Sequence, residues 1–170
     1  MQKINFSLDN LQNVVFFLIA LLIVFVDQLT KTWIRANLTI GQSLFDIGFL
    51  RITHISNTGA AFGLFQDQSS ILTIIAFIGA IVIVLYALLS PCYLRIINNM
   101  QGKVALGLVL GGTVGNLVDR ISLGHVTDFI DFKIWPTFNV ADSAVTVGII
   151  IFAYTAFQTY TVGKRQHGND

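Results

Sequence analysis

Ile71-Leu-Thr-Ile-Ile-Ala-Phe-Ile-Gly-Ala-Ile-Val-Ile-Val-Leu-Tyr-Ala-Leu-Leu89 carries no charged side chain, and no charge falls anywhere between Asp67 and Arg95. A helix needs about 20 largely apolar residues to cross the hydrocarbon layer of a bilayer, and this run meets that requirement alone. Three further windows share its character. Val14 to Val26 is unbroken apolar sequence, and apolar residues continue past Asp27 through Leu29, Trp33 and Ile34. Val104 to Val118 and Ser143 to Gly163 complete the set. The first and third windows reach spanning length only if Asp27 and Lys31, or Asn116, Asp119 and Arg120, sit at the interface or face other helices.

Composition agrees. Hydrophobic residues make up 54% of the 170-residue chain and charged residues only 11%. A soluble domain carries about 25% charged residues, so this chain has too few to cover a water-facing globule. The formal net charge of +1 supplies no basic field for nucleic acid. All nine acidic residues are Asp, which excludes every motif built on Glu, the HExxH metalloprotease helix among them. Cys92 is the single cysteine, so neither a disulfide within the chain nor a thiolate zinc site is expected. No metal and no cofactor are expected.

The sequence therefore predicts an all-α integral membrane protein: four transmembrane helices with a small β-element and loop outside the bilayer. It reads as one membrane domain over 1–170, with spans near 12–34, 70–90, 104–121 and 142–162. Lys3 ahead of an apolar core resembles a signal peptide, but no small-x-small site follows Val26, and the segment reads as a retained helix. Four spans put both termini on one side. Lys3, Arg95, Lys103, Lys164 and Arg165 fall there, and Lys31, Arg35, Arg51, Arg120 and Lys133 fall opposite, so the positive-inside rule gives no orientation. The acids are asymmetric: all except Asp9 and Asp170 belong to the second side. Its loops, near 36–69 and 122–141, are the longest connections. Leu44 to Ile55 and His125 to Trp135 are rich in β-formers, with Val126, Asp128, Ile130 and Phe132 on one alternating face. Open strands have no place in lipid, so a small sheet at the membrane surface is expected.

Ionisable groups at membrane depth are functional candidates by default. Asp27 and Lys31 share a helix face at i, i+4 and form either a structural ion pair or part of a site. Asn57-Thr-Gly-Ala-Ala-Phe62 reads as a turn or cap, or as a binding loop in which Gly59 gives backbone freedom. Gly107, Gly111 and Gly115 form a small-xxx-small ridge for close helix packing. Gly112, Asn116 and Asp119 lie on an adjacent face, as a buried network or as part of a site. Asp128 could be a solvated loop acid and Asp142 a helix N-cap. Alternatively the two meet, because antiparallel helices joined by a short connection bring both to one membrane surface. Two carboxylates held close share one proton and split their pKa values. One can then take a proton from water while the other donates to a scissile carbonyl.

Asp27-Gln-Leu-Thr-Lys31, Asn57-Thr-Gly-Ala-Ala-Phe62, Gly111-Gly-x-x-Gly-Asn-x-x-Asp-Arg120, Val126-x-Asp-Phe129 and Phe138-Asn-x-Ala-Asp-Ser143 occur in order between the four hydrophobic spans. Together they resemble the lipoprotein signal peptidases, the signal peptidase II family, with no departure at a motif position. The resemblance implies an aspartic endopeptidase of the bacterial inner membrane. It implies cleavage of prolipoproteins just before a diacylglyceryl-modified cysteine, with membrane lipids around the enzyme and no nucleic acid. Asp128 and Asp142 match the catalytic pair. Asn57, Gly59, Asn116, Arg120 and Asn139 match residues that line or support the site. Asp27, with Lys31, and Asp119 match family positions nearer to structure than to chemistry. Cytoplasmic termini, extracytoplasmic loops and a monomer are expected on the same ground. Gly59 and Gly63, flanking Phe62, also suggest a lid over the site. The alternative is a small membrane transporter or proton-conducting protein that uses intramembrane carboxylates.

Overall fold

The computed structural model describes residues 6–59, 68–89 and 99–167. Among the described residues, four helices and three strands follow in the order α1 (Phe6–Asn37), β1 (Ser43–Asp46), β2 (Arg51–Asn57), α2 (Ser69–Leu89), α3 (Met100–Leu123), β3 (Val126–Asp131) and α4 (Val140–His167). All four helices contain a stretch long and apolar enough to cross a membrane. The lid suggested around Phe62 and Gly63 lies outside the described residues.

α3 is the central helix. Over half of its apolar window is buried in protein (56%), against 11% for α2 and 17% for α1. It packs against each of the other three. The glycine ridge explains how. A Cβ on Gly107 would meet the Phe16 carbonyl oxygen at 2.8 Å, and one on Gly111 would meet that of Ala20 at 2.7 Å, so this edge of α3 lies against the backbone of α1. Gly112 faces the other way. Its Cβ would fall 2.3 Å from the Ala141 carbonyl oxygen of α4. Small residues thus let α1 and α4 close on α3 from two sides, with close packing as the attraction that lipid tails cannot supply. Phe16, Ala20, Ala87, Leu106 and Leu110 form the core of the α1–α2–α3 contact. The outward faces of α1 and α2 present Leu18, Leu21, Phe25, Ile74, Phe77 and Ile78, as suits helices that face lipid.

All four helices begin before the expected spans, and in α3 and α4 a polar cap sets the start. Asn99 accepts the Gly102 N–H at 2.7 Å and opens α3. Lys103 is therefore a helix residue and not a loop charge. It lies within α3, 5% exposed, and its Nζ donates to Asn13 Oδ1 (2.7 Å) and to the Ala87 carbonyl, joining α1, α2 and α3. α4 is opened by Asn139.

The sheet is antiparallel in the order β1-β2-β3. The expected single strand over 44–55 is instead a hairpin. Gly48 adopts φ +87 and donates its N–H to Asp46 Oδ1 at 3.0 Å, turning the chain between β1 and β2. β3 is buried on both faces through Phe129 and ends at Asp131. Phe132 lies past its end and stacks on Phe138 at 5.9 Å. Ile34, Leu38 and Phe129 fix the sheet to the end of α1. Ile130 N donates to the Phe138 carbonyl at 2.8 Å, and Phe138 N returns a bond at 3.0 Å. The chain between them folds back, which delivers Asn139 to the side of β3.

Gly112→Ala is expected to destabilise the protein by about 1–3 kcal/mol through overpacking against α4 backbone. Gly79→Ala, where an added Cβ meets nothing within 4 Å, should leave Tm unchanged or slightly raised. Thermal melts of the detergent-solubilised variants check the contrast.

Candidate active site

Asn139 has no exposed surface, and its contacts join the two aspartates. Its Oδ1 accepts the Asp142 backbone N–H at 2.9 Å, and its own N–H donates to Asp142 Oδ2 at 3.2 Å. This reciprocal pair is a capping box, with Asn139 as the N-cap and Asp142 three residues into the motif. Asp142 is therefore not the cap itself. Asn139 Nδ2 meanwhile donates to Asp128 Oδ1 at 2.7 Å. One residue thus joins the two carboxylates: its carboxamide holds that of β3 and its backbone N–H holds that of α4.

Two more amides complete the cradle. Asn57, at the end of β2, donates to Asp128 Oδ2 at 2.8 Å. Its Oδ1 takes the Gly59 N–H at 2.9 Å, so the turn and the site use the same side chain. The β2–β3 register that pairs Ile55 with Asp128 and Asn57 with Val126 sets this reach. Asn116 of α3 donates from Nδ2 to Asp142 Oδ1 at 2.7 Å. The polar stripe on α3 is accordingly both a buried network and part of the site.

Asp128 and Asp142 line one cleft of about 1120 Å³ together with Asn57, Gly59, Asn116 and Arg120. Its apolar wall comes from Leu72, Ile75 and Ala76 of α2 and from Val145 and Val147 of α4, with Trp135 and Pro136 at the sheet end. α2 contains no charged residue, so no motif pointed to its role as a wall. Arg120 reaches the Gly59 carbonyl at 3.4 Å, while its buried Nε has no hydrogen-bond partner among the described residues.

Behind the cleft lies a second, fully buried cluster. Lys31 Nζ sits 2.8 Å from Asp27 Oδ2 and 3.3 Å from Asp119 Oδ2. Both acids and the lysine are at most 1% exposed, and none lines the cleft. Two residues assigned no role in the sequence complete it. Gln28 Nε2 donates to Asp119 Oδ1 (3.1 Å) and to the Gly115 carbonyl (2.9 Å). Arg35 Nη1 reaches Asp119 Oδ1 (3.3 Å) and Thr127 Oγ1 (3.1 Å). Arg35 was detectable in principle: Asp27, Lys31 and Arg35 recur at i, i+4, i+8 on one helix face.

Burial and the neighbouring charge of Asp142 push the Asp128 carboxyl up to about 7, against the lowering effect of the Asn57 and Asn139 hydrogen bonds. Near neutral pH Asp128 therefore still carries a proton in a substantial share of the molecules, where an exposed aspartate has lost it. Asp142 is the more exposed of the two and stands in the first turn of α4. Such a pair can donate a proton from one member and accept one at the other, on a molecule held between cleft wall and carboxylates.

A family model described as Signal peptidase (SPase) II matches residues 19–158. Lipoprotein signal peptidases of known sequence are similar over most of the chain. That of Dehalococcoides mccartyi strain BAV1 is 43% identical, covering 82% of this chain and 86% of its own length. That of Moorella thermoacetica is 40% identical over 82% and 90%, and that of Nostoc punctiforme 37% identical over 87% and 92%. Two solved structures of bacterial membrane enzymes obtained by the in meso method superpose with TM-scores of 0.75 and 0.71. They are 35% and 36% identical and cover 84% and 83% of this chain, and 87% and 91% of their own.

The elevated Asp128 pKa fixes a sign for stability. Asp128 binds its proton more tightly folded than unfolded, so its contribution is fully present below its unfolded value of 3.8 and is lost as pH rises through about 7. The stability difference between Asp128→Asn and the native protein should therefore move in favour of the variant by about 2–4 kcal/mol from pH 4 to pH 8. Parallel melts across that range check it, and a difference that stays flat contradicts the buried, protonated carboxyl.

Proposed function

The chain belongs to the signal peptidase II family, and we propose that it removes the signal peptide from prolipoproteins as a membrane aspartyl endopeptidase, with Asp128 and Asp142 as its catalytic pair. The observation that carries this reading is the Asn139 bridge, which joins the two carboxylates that line the cleft.

Asp142 is the base and Asp128 the acid. Asp142 takes a proton from a water as its oxygen attacks the scissile carbonyl carbon. Asp128 gives its proton to the carbonyl oxygen, leaving a neutral tetrahedral diol. Asp142 then passes its proton to the departing amide nitrogen as the C–N bond breaks. One hydroxyl of the diol returns a proton to Asp128, which restores the starting state and leaves a carboxylic acid and an amine. Arg120 holds positive charge beside the cleft against the negative charge that develops on the carbonyl oxygen.

Substrate chemistry suits the cleft. One wall is apolar and built by α2 and α4, two helices whose remaining surfaces are suited to lipid. A hydrophobic signal peptide and the acyl chains of a diacylglyceryl-modified cysteine lie against that wall, and the scissile bond reaches the aspartates at the sheet end. The enzyme works as a monomer in the bacterial inner membrane, with both termini cytoplasmic and the dyad near the extracytoplasmic face. This orientation rests on the resemblance to the family; the charge counts give none. A conduction path would place carboxylates through the depth of the bilayer. Asp27, Asp119, Asp128 and Asp142 gather instead at the sheet end of the helices.

Asp128→Asn and Asp142→Asn should each reduce cleavage of a diacylglyceryl-modified substrate by about 10³-fold or more while the protein stays folded in the membrane. A gel-shift assay of prolipoprotein processing, with a thermal melt of each variant, checks this; near-native cleavage by either refutes the pair. The same roles set a pH dependence. Activity should fall on the alkaline side as pH rises through about 7 and Asp128 loses the proton it must donate. Single-turnover rates from pH 5 to pH 9 read that limb.

A further inference from the structure

The buried cluster behind the cleft is more than an anchor. Lys31 has three N–H donors and three acceptors arranged about it: Asp27 Oδ2 at 2.8 Å, Asn116 Oδ1 at 2.8 Å and Asp119 Oδ2 at 3.3 Å. Each acceptor leads to the dyad. Asp27 turns its other oxygen to the backbone N–H of Ala141 at 2.9 Å, the residue before Asp142. Asp119 Oδ2 also takes the backbone N–H of Thr127 at 3.0 Å, the residue before Asp128. Asn116 touches Asp142 itself.

The orientation of Asn116 follows from Lys31. An ammonium can only donate, so the Asn116 atom facing it must be the carbonyl oxygen. That oxygen also receives Asn139 Nδ2 at 3.1 Å. Nδ2 of Asn116 is then forced towards Asp142 Oδ1, so that this oxygen meets a donor and serves as an acceptor. Without the lysine, Asn139 Nδ2 is the remaining donor on that oxygen, and the amide is held less firmly.

We propose that Lys31 is a positioning residue for the reaction, fixing the separation of the two catalytic aspartates through Asp27 and Asp119 and holding Asp142 as the proton acceptor through Asn116. The inference rests on the assignment of Asp128 and Asp142 as the catalytic pair. It gives a reason for a fully buried lysine that an ion pair alone does not. Buried ion clusters are weak sources of stability, because removing the charges from water offsets most of their mutual attraction. Geometry near a reacting bond is different, since a displacement of about 1 Å costs on the order of 100-fold in rate.

Two variants test it. Lys31→Met keeps an unbranched side chain of similar bulk and removes its charge. The triple variant Asp27→Asn/Lys31→Met/Asp119→Asn removes all three charges and leaves no buried carboxylate unpaired, while each Asn oxygen can still accept the backbone N–H of Ala141 or Thr127. Cleavage of a synthetic diacylglyceryl lipopeptide by the purified enzyme should show kcat lowered about 100-fold with KM within about twofold of native, in variants whose melts show a folded protein. Native kcat in either folded variant overturns the proposal, as does a raised KM with kcat preserved. Loss of the fold in both variants also overturns it and assigns the cluster to anchoring alone. Asp142→Asn, assayed alongside, separates the two claims. If it is inactive while the Lys31 variants cleave normally, only the positioning role fails; if it cleaves at the native rate, the catalytic pair itself fails.

Discussion

Everything the site does depends on one buried carboxamide. Asn139 caps α4 with its carbonyl oxygen and grips Asp128 with its amide nitrogen. The requirement behind this is simple. The first N–H groups of a helix need acceptors, and in a membrane protein water is scarce near that end. A side chain that meets the requirement is held tightly, and whatever else it touches is held with it. The cap of a spanning helix has thereby become the hinge-pin of a carboxylate pair.

The same economy recurs one layer deeper. Asp27 and Asp119 are paired with Lys31, and both also accept backbone N–H groups from the elements that carry the aspartates of the cleft. Ion pairs out of water are costly to assemble and more costly to leave incomplete. A cluster that cannot relax without exposing an unpaired charge makes a stiff frame. The glycines of α3 make that frame possible. A Cβ at Gly115 would stand 2.6 Å from an Asp27 oxygen, and one at Gly112 would strike the backbone of α4. Only with these side chains absent can α1, α3 and α4 come close enough to share three charged groups.

The helices and their number were legible in the sequence because hydrocarbon imposes a length and excludes charge. Their true starts were not, since hydropathy windows stop at polar residues, while Asn99 and Asn139 are polar because they cap. The hairpin at Gly48 was missed for a related reason: β-formers on either side read as one strand, and a single Asp-Ile-Gly turn interrupts them. Of the candidate site residues, Asn57, Gly59, Asn116 and Arg120 line the cleft with the two aspartates, and Asn139 lies behind them. Motif order found these because a polar residue beside an apolar span is conspicuous. The apolar wall on α2 gave no such signal, because residues that face a cleft and residues that face lipid have the same composition.

By itself the sequence determined a four-span membrane protein with most of its acids near one end of the spans, and its five ordered motifs determined the family. Which carboxylate meets which amide was decided only by the fold. Asp27 and Ala141, Asp119 and Thr127, and Asn57 and Asp128 are brought together by helix crossings and strand register that no local pattern encodes. Local sequence sets how each segment partitions between lipid and water. The separation of two charges, and therefore their chemistry, is a property of the packed chain.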